Sequence, residues 1–229
     1  MSQAILQHVH EAVGTQPDRQ PRENQSIAAL HAVDDDLVLR DRSQDERMLL
    51  AQSAVADLLK ALGRDITSGH LADTPRRVAA SMIEMLTPRE FTMTTFPNDE
   101  GYEGLVLVRD IPFHSLCEHH LLPFRGVAHI GYVPGDRLLG ISKLARVLEK
   151  FSRDLQVQER LTRQVADYLQ EQLGARGVGV VIEAEHLCMS LRGVQAAGAT
   201  TVTSTYLGTL ADDVALREQF RMPLAAHSA

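Results

Sequence analysis

Only two cysteines occur in the 229 residues, Cys117 and Cys188, and each stands beside histidine. The first lies in the stretch Asp110 to Arg125 with His114, His119 and His120; the second closes His186-Leu187-Cys188. Cys117 and His120 have the close spacing of a metal-ligand pair, and Cys188 follows His120 by 68 positions. If these residues act together, the chain must fold so that the late stretch returns to the early one. A Cys-His-Cys set with its fourth position left to water is the pattern of a catalytic zinc site, whereas structural sites close with four protein ligands. The same residues also allow a Cys117–Cys188 disulfide or two inert core cysteines, because a single C-x-x-H spacing is weakly specific.

The neighbouring residues carry further chemistry. On a strand, His186 and Cys188 would share a face. His186 would then sit beside the metal as a proton donor or acceptor, with His119 as a second candidate. Each is otherwise a structural histidine. Gly140-Ile141-Ser142-Lys143-Leu144-Ala145-Arg146 reads as the start of a helix with Ser142 as its N-cap. Lys143 and Arg146 share a face of the first turn, where cations oppose the helix dipole. A bound phosphate would resolve that conflict and use the free backbone N–H groups; the alternative is two solvated basic residues. Arg192 is a further basic residue close after Cys188. Glu159, early in the next helix, is a solvent-facing carboxylate unless a ligand offers it two adjacent donors, as the N1–H and 2-amino group of guanine do.

Composition bounds the rest. The apolar fraction of 44% and charged fraction of 23% are those of a soluble globular chain. A net charge of −7 argues against binding nucleic acid, which needs a basic excess. No apolar run has the length of a membrane span, and the N-terminus lacks the basic-then-apolar pattern of a signal peptide, so a cytoplasmic protein with reduced thiols is expected. Residues 1–44, polar with the acidic run Asp34-Asp35-Asp36, read as a mobile extension.

From residue 45 the pattern is helical. Met48, Ala51, Val55, Leu58, Leu59 and Leu62 recur at helical spacing up to Gly63. A second helix opens at Thr74-Pro75, with Thr74 as its cap, and ends by Thr87-Pro88. After an irregular stretch over 89–103, strands are expected over Leu105–Ile111, stopped by Pro112, and over Gly126–Val133. Helices follow, the first with a stripe at Leu144, Val147, Leu148 and Phe151, the second beginning at Gln156 and ending at Gly174 with Val157, Leu161, Val165, Tyr168, Leu169 and Leu173; strands are then expected over Val178–Ala184 and Thr200–Leu207. This is an α+β unit of order β-β-α-α-β-β whose open sheet edges invite pairing with another copy.

Four blocks, taken in order, resemble the GTP cyclohydrolase I family: Ser115-Leu116-Cys117-Glu118-His119-His120, Gly140 to Arg146, Gln156-Val157-Gln158-Glu159-Arg160-Leu161-Thr162, and His186-Leu187-Cys188-Met189 with Arg192-Gly193-Val194. The likeness runs from about residue 45 to 221. It implies a catalytic domain over 45–229, with a helical section at about 45–88 and a tunnelling fold at about 103–221. It implies a toroidal homodecamer with active sites between subunits. It implies conversion of GTP and water to 7,8-dihydroneopterin triphosphate and formate, the first step of tetrahydrofolate and pterin biosynthesis. Carried over by motif, Cys117, His120 and Cys188 match zinc ligands, and His119 and His186 match catalytic histidines. Ser142, Lys143, Arg146 and Arg192 match positions near the triphosphate and ribose, with Ser142 assisting the late rearrangement. Gln158 and Glu159 match the guanine-binding pair. Arg77 matches a phosphate position, although some members place a lysine three residues later, where this chain has Ala80. The Ala196-Ala197-Gly198-Ala199 stretch is smaller and less polar than in many relatives. Two other readings compete. One is a non-catalytic relative that binds guanine nucleotides around a structural zinc; the complete set of ligands and histidines speaks against it. The other is a nitrile reductase of similar fold with a nucleophilic cysteine and no zinc, disfavoured by the Cys-Glu-His-His stretch and the second cysteine.

Overall fold

The computed structural model describes residues 43–221, so all but the last two residues of the expected extension lie outside the described residues. From Met48 onward the described residues belong to one compact unit. Helix α1 (Gln44–Ala61) ends at Gly63, whose φ of +71° takes the left-handed conformation that terminates helices. None of its residues is buried, and Leu49, Leu50, Leu58 and Leu62 remain exposed. Helix α2 (Thr74–Met85) begins one residue earlier than the expected cap would set it. Asp73 precedes its first turn, and its carboxylate takes Arg76 and Arg77 rather than a backbone N–H.

The chain from residue 95 has the expected α+β order. Strands β1 (Thr95–Pro97), β2 (Val106–Cys117), β3 (Pro123–Val133) and β4 (Arg137–Leu139) lead to helix α3 (Ser142–Ser152). A short β5 (Leu155–Gln156) and helix α4 (Gln158–Leu173) follow. Then come β6 (Gly177–His186), the single turn α5 (Leu187–Ser190), β7 (Thr201–Gly208), α6 (Thr209–Asp212) and α7 (Val214–Arg221). The main sheet has the order β5-β2-β3-β6-β7, antiparallel except for the β2–β5 pair. The stretch expected to be irregular supplies β1, which pairs with β4.

Pro112 does not stop its strand. It lies opposite Val127 in a part of β2 whose other edge has no partner strand, so its missing N–H costs the sheet nothing. The irregularity comes earlier, as a bulge between Val108 and Ile111. There Asp110 adopts a φ of +55°, and its N–H donates to His129 Nδ1 at 3.2 Å. The extra residue shifts the alternation. Val106 and Val108 pack on the core before it, whereas Ile111, Phe113, Ser115 and Cys117 are buried after it. The bulge thus turns Cys117 inward.

Helices α3 and α4 cover one face of the sheet. Their stripes Leu144, Val147, Leu148 and Leu161, Val165, Leu169 are buried against Phe124, Ala128, Ile130, Val180 and Ile182. On the opposite face Phe220 of α7 lies over Gly131 and Gly179, which face each other in register; a methyl at Gly179 would meet its ring at 2.8 Å. Gly126 is tighter still, because a Cβ there would fall 1.8 Å from the Glu183 carbonyl oxygen. Gly126→Ala should therefore push β3 from β6 and cost on the order of 3 kcal/mol or more, read as a shift in the denaturation midpoint. A change below about 0.5 kcal/mol would show that the strands separate freely here.

Candidate functional site

The C-terminal ends of β2 and β6 and the N-terminal ends of β3, β7 and α4 lie at one end of the sheet. Cys117 is the last residue of β2, and the turn after it is closed by Cys117 N–H to Leu122 O and Leu121 N–H to Cys117 O. Leu121 holds a φ of +54° at its corner. This turn brings His120 back over Cys117, with His120 Nδ1 3.7 Å from Cys117 Sγ. Cys188 does not arrive on a strand as expected. His186 ends β6, and Cys188 sits in the following turn α5, so the shared strand face does not exist; helical curvature delivers the thiol instead. Cys188 Sγ lies 4.0 Å from Cys117 Sγ. Both cysteines are free, and a disulfide needs about 2.05 Å.

The donor atoms of Cys117, His120 and Cys188 all lie within 4.8 Å of one another. Zinc bonds of about 2.3 Å to sulfur and 2.0–2.1 Å to nitrogen, at tetrahedral angles, require about 3.8 Å between sulfurs and 3.5 Å between sulfur and nitrogen. The 4.0 and 3.7 Å separations fit that demand. Burial pushes the Cys188 thiol up, and the neighbouring Cys117 pushes it further. A dication is what lets such a pair ionise together. The residues therefore fit a metal, and their chemistry suits zinc.

His119 and His186 flank this group. His119 is exposed, with Nδ1 3.8 Å from Cys117 Sγ. The His186 ring stacks on Phe124 at 4.6 Å with planes 1° apart, and Phe124 is its direct partner across β3 and β6. Burial lowers its pKa, and Glu159 opposes that shift. Glu159 is exposed in the first turn of α4, where the helix dipole favours a carboxylate. It makes no hydrogen bond or ion pair among the described residues. Gln158, expected beside it at the guanine, is buried instead and faces the fold interior.

Of the basic candidates, Arg192 lies close enough to Cys188 to favour its thiolate. Ser142 is the first residue of α3 rather than its cap; Ile141 precedes it in helical conformation, and no side chain caps the helix. Ser142 and Arg146 line a cleft of about 420 Å³ with Arg89, His114, Glu149 and Arg153, and none of the Cys-His-Cys residues lines it. Lys143 and Arg192 have no resolved acidic partner among the described residues, and Arg77 is held by Asp73.

Three arginines converge on Glu149: Arg89, Arg146 and Arg153. The Arg89 hydrogen bond holds the Glu149 carboxyl below the ordinary glutamate range, and Arg146 and Arg153 add to it. A depressed folded-state pKa stabilises above the unfolded value, and the contribution fades as pH falls through the folded value. Glu149→Gln should thus lower Tm at neutral pH, by roughly 1–3 kcal/mol of stability, with the gap to the parent chain closing below about pH 4. A gap that does not narrow at all as the pH is taken below the ordinary glutamate range would count against this account.

Sequence spacing passed over two residues that hold the turn carrying Cys117 and His120. Glu118 accepts a hydrogen bond from Arg160, which also donates to Leu155 O and Gln156 Oε1. The partners are 42 positions apart, so no local pattern announces them.

A family model described as GTP cyclohydrolase I matches residues 51–225. Among similar proteins, GTP cyclohydrolase 1 of Halalkalibacterium halodurans is 51% identical over 174 residues, covering 73% of this chain and 92% of that one. GTP cyclohydrolase 1 of Aquifex aeolicus is 49% identical over 169 residues, covering 74% and 92%. GTP cyclohydrolase 1 of a Synechococcus strain is 45% identical over 196 residues, covering 80% and 86%. With the metal-ready Cys-His-Cys group in place and the match spanning most of its length, the chain belongs to the GTP cyclohydrolase I family.

Proposed function

We propose that this chain hydrolyses and rearranges GTP to 7,8-dihydroneopterin triphosphate and formate, the entry step of tetrahydrofolate and pterin biosynthesis. The observation that carries the reading is the convergence of Cys117, His120 and Cys188, from two distant segments, beside His186 and Glu159. Cys117, His120 and Cys188 would hold zinc, which when bound supplies Lewis acidity to the water that adds at C8 and to the formyl oxygen. Glu159 accepts the N1–H and 2-amino hydrogen bonds and so orients the base. Lys143, Arg146 and Arg192, with Arg77 as a further candidate, neutralise the triphosphate. His186 and His119 move the protons that ring opening requires at the imidazole nitrogens. Ser142 assists the later sugar rearrangement and ring closure.

The reading extends to assembly as a toroidal homodecamer of tunnelling-fold subunits, the catalytic unit beginning near residue 45. Two observations support a site shared between copies. The basic cleft of Ser142 and Arg146 has no lining residue in common with the Cys-His-Cys group. Apolar side chains stand exposed on α1 and around the metal group at Leu121, Met189, Leu191 and Val194. Two free thiols, Cys117 and Cys188, suit a reducing compartment such as the cytoplasm.

The test is direct. Zinc-loaded protein is incubated with GTP, and formate is measured together with a fluorescent pterin after oxidation. Both products are expected in equal amounts. Zinc-loaded protein that binds GTP and releases neither would make this a binding module instead.

A further inference from the structure

Gln158 is the buried polar residue whose surroundings are most fully determined. Its Nε2 lies 3.0 Å from Ile182 O, 2.9 Å from Thr201 O and 3.1 Å from Thr203 Oγ1. Two of those partners are carbonyl oxygens, which only accept. The amide nitrogen must therefore face them, and the oxygen Oε1 must face the other way. The hydroxyls agree. Thr162 Oγ1 donates to the Gln158 backbone carbonyl at 2.8 Å and lies 2.6 Å from Thr203 Oγ1. Its proton is spent, so Thr203 donates to it and keeps its lone pairs for the Gln158 amide.

Oε1 then meets His186 Nε2 at 2.8 Å. An amide oxygen cannot donate, so the ring nitrogen must. The stack on Phe124 holds the ring plane in which that bond is made. His186 Nδ1 has no hydrogen-bond partner among the described residues.

We infer that Gln158 is a positioning residue that fixes His186 as its Nε2–H tautomer and leaves Nδ1 as the nitrogen that exchanges protons with the substrate. The hydrogen bond at one ring nitrogen sets the state of the other. Buried as it is, the Gln158 side chain contributes to catalysis through the histidine and leaves the base to Glu159. The inference rests on the reading of His186 as the proton-transfer residue of the proposed reaction.

The test uses the full-length, zinc-loaded protein labelled with 15N-histidine, with the His186 signals assigned by their loss in His186→Asn. Solid-state NMR should show a protonated Nε2 and a bare Nδ1 on neutral His186; the reverse tautomer would overturn the inference. Gln158→Met keeps the shape and removes the hydrogen bonds. It should retain zinc, lower kcat on the order of 10–100-fold and leave the KM for GTP within about two-fold. A raised KM with unchanged kcat would assign Gln158 to the base after all and sink the inference. Should Gln158→Met fail to fold, the tautomer of the parent protein still decides. A parent protein that shows the Nε2–H tautomer yet releases no formate overturns the proposed function and leaves the tautomer assignment standing.

Discussion

Cys188→Ser is expected to lose bound zinc and formate release together. The two thiols and the His120 nitrogen are the donors that the fold brings within 4.8 Å among the described residues. Serine keeps the shape but offers a hydroxyl that does not ionise where thiolate would, and two remaining donors do not hold zinc firmly. Without the metal, the Lewis-acid contribution of several kcal/mol disappears, so turnover should fall by on the order of 1,000-fold or more. The fold should survive, because serine nearly matches the shape of Cys188, which sits at the margin of the core in the one-turn α5. Metal analysis and formate release on the same preparation give the readout. A Cys188→Ser protein that keeps full zinc and full turnover would remove Cys188 from the site.

Glu159→Gln is expected to keep zinc but cut kcat/KM for GTP by on the order of 1,000-fold. The carboxylate is exposed, supported by the α4 N-terminus, and without a hydrogen-bond or ion-pair partner among the described residues. Two charge-assisted hydrogen bonds to one ligand edge contribute roughly 1.5–3 kcal/mol each. An amide in the same place turns one acceptor into a donor, which then faces a donor of the base. Measuring the same variant with inosine triphosphate, which lacks the 2-amino group, checks the cause. The penalty should shrink, because only one of the two contacts exists to be lost. Equal losses with both nucleotides would move Glu159 away from the base.

The helical stripes of α3 and α4 and the strands of the second half were legible because one face of each is buried and the periods of 3.6 and 2 show it directly. The stop of α4 at Gly174 was legible because glycine takes the left-handed conformation at little cost, and its φ there is +59°. Strand β2 was misread because a proline usually breaks a strand. Here the edge beside Pro112 is open, a fact about a neighbouring strand and not about the proline. The bulge at Asp110 left no mark in composition, yet it decides which side chains of β2 enter the core. Ser142 and Thr74 looked like caps because their residue type suits that role, but the helices begin one position away from it.

The sequence by itself determined the candidate donor types, the order of the blocks and the helical and strand faces, since these depend on residue chemistry and short periods. Only the tertiary structure decided that the cysteines stand 4.0 Å apart and unbonded, and that a helical turn delivers the second one. It also decided that Gln158 faces His186, that Glu118 is held by Arg160, and that three arginines share Glu149. The physical reason is the same in each case. These relations join atoms from segments dozens of residues apart, and only the packing of helices on a shared sheet sets such distances.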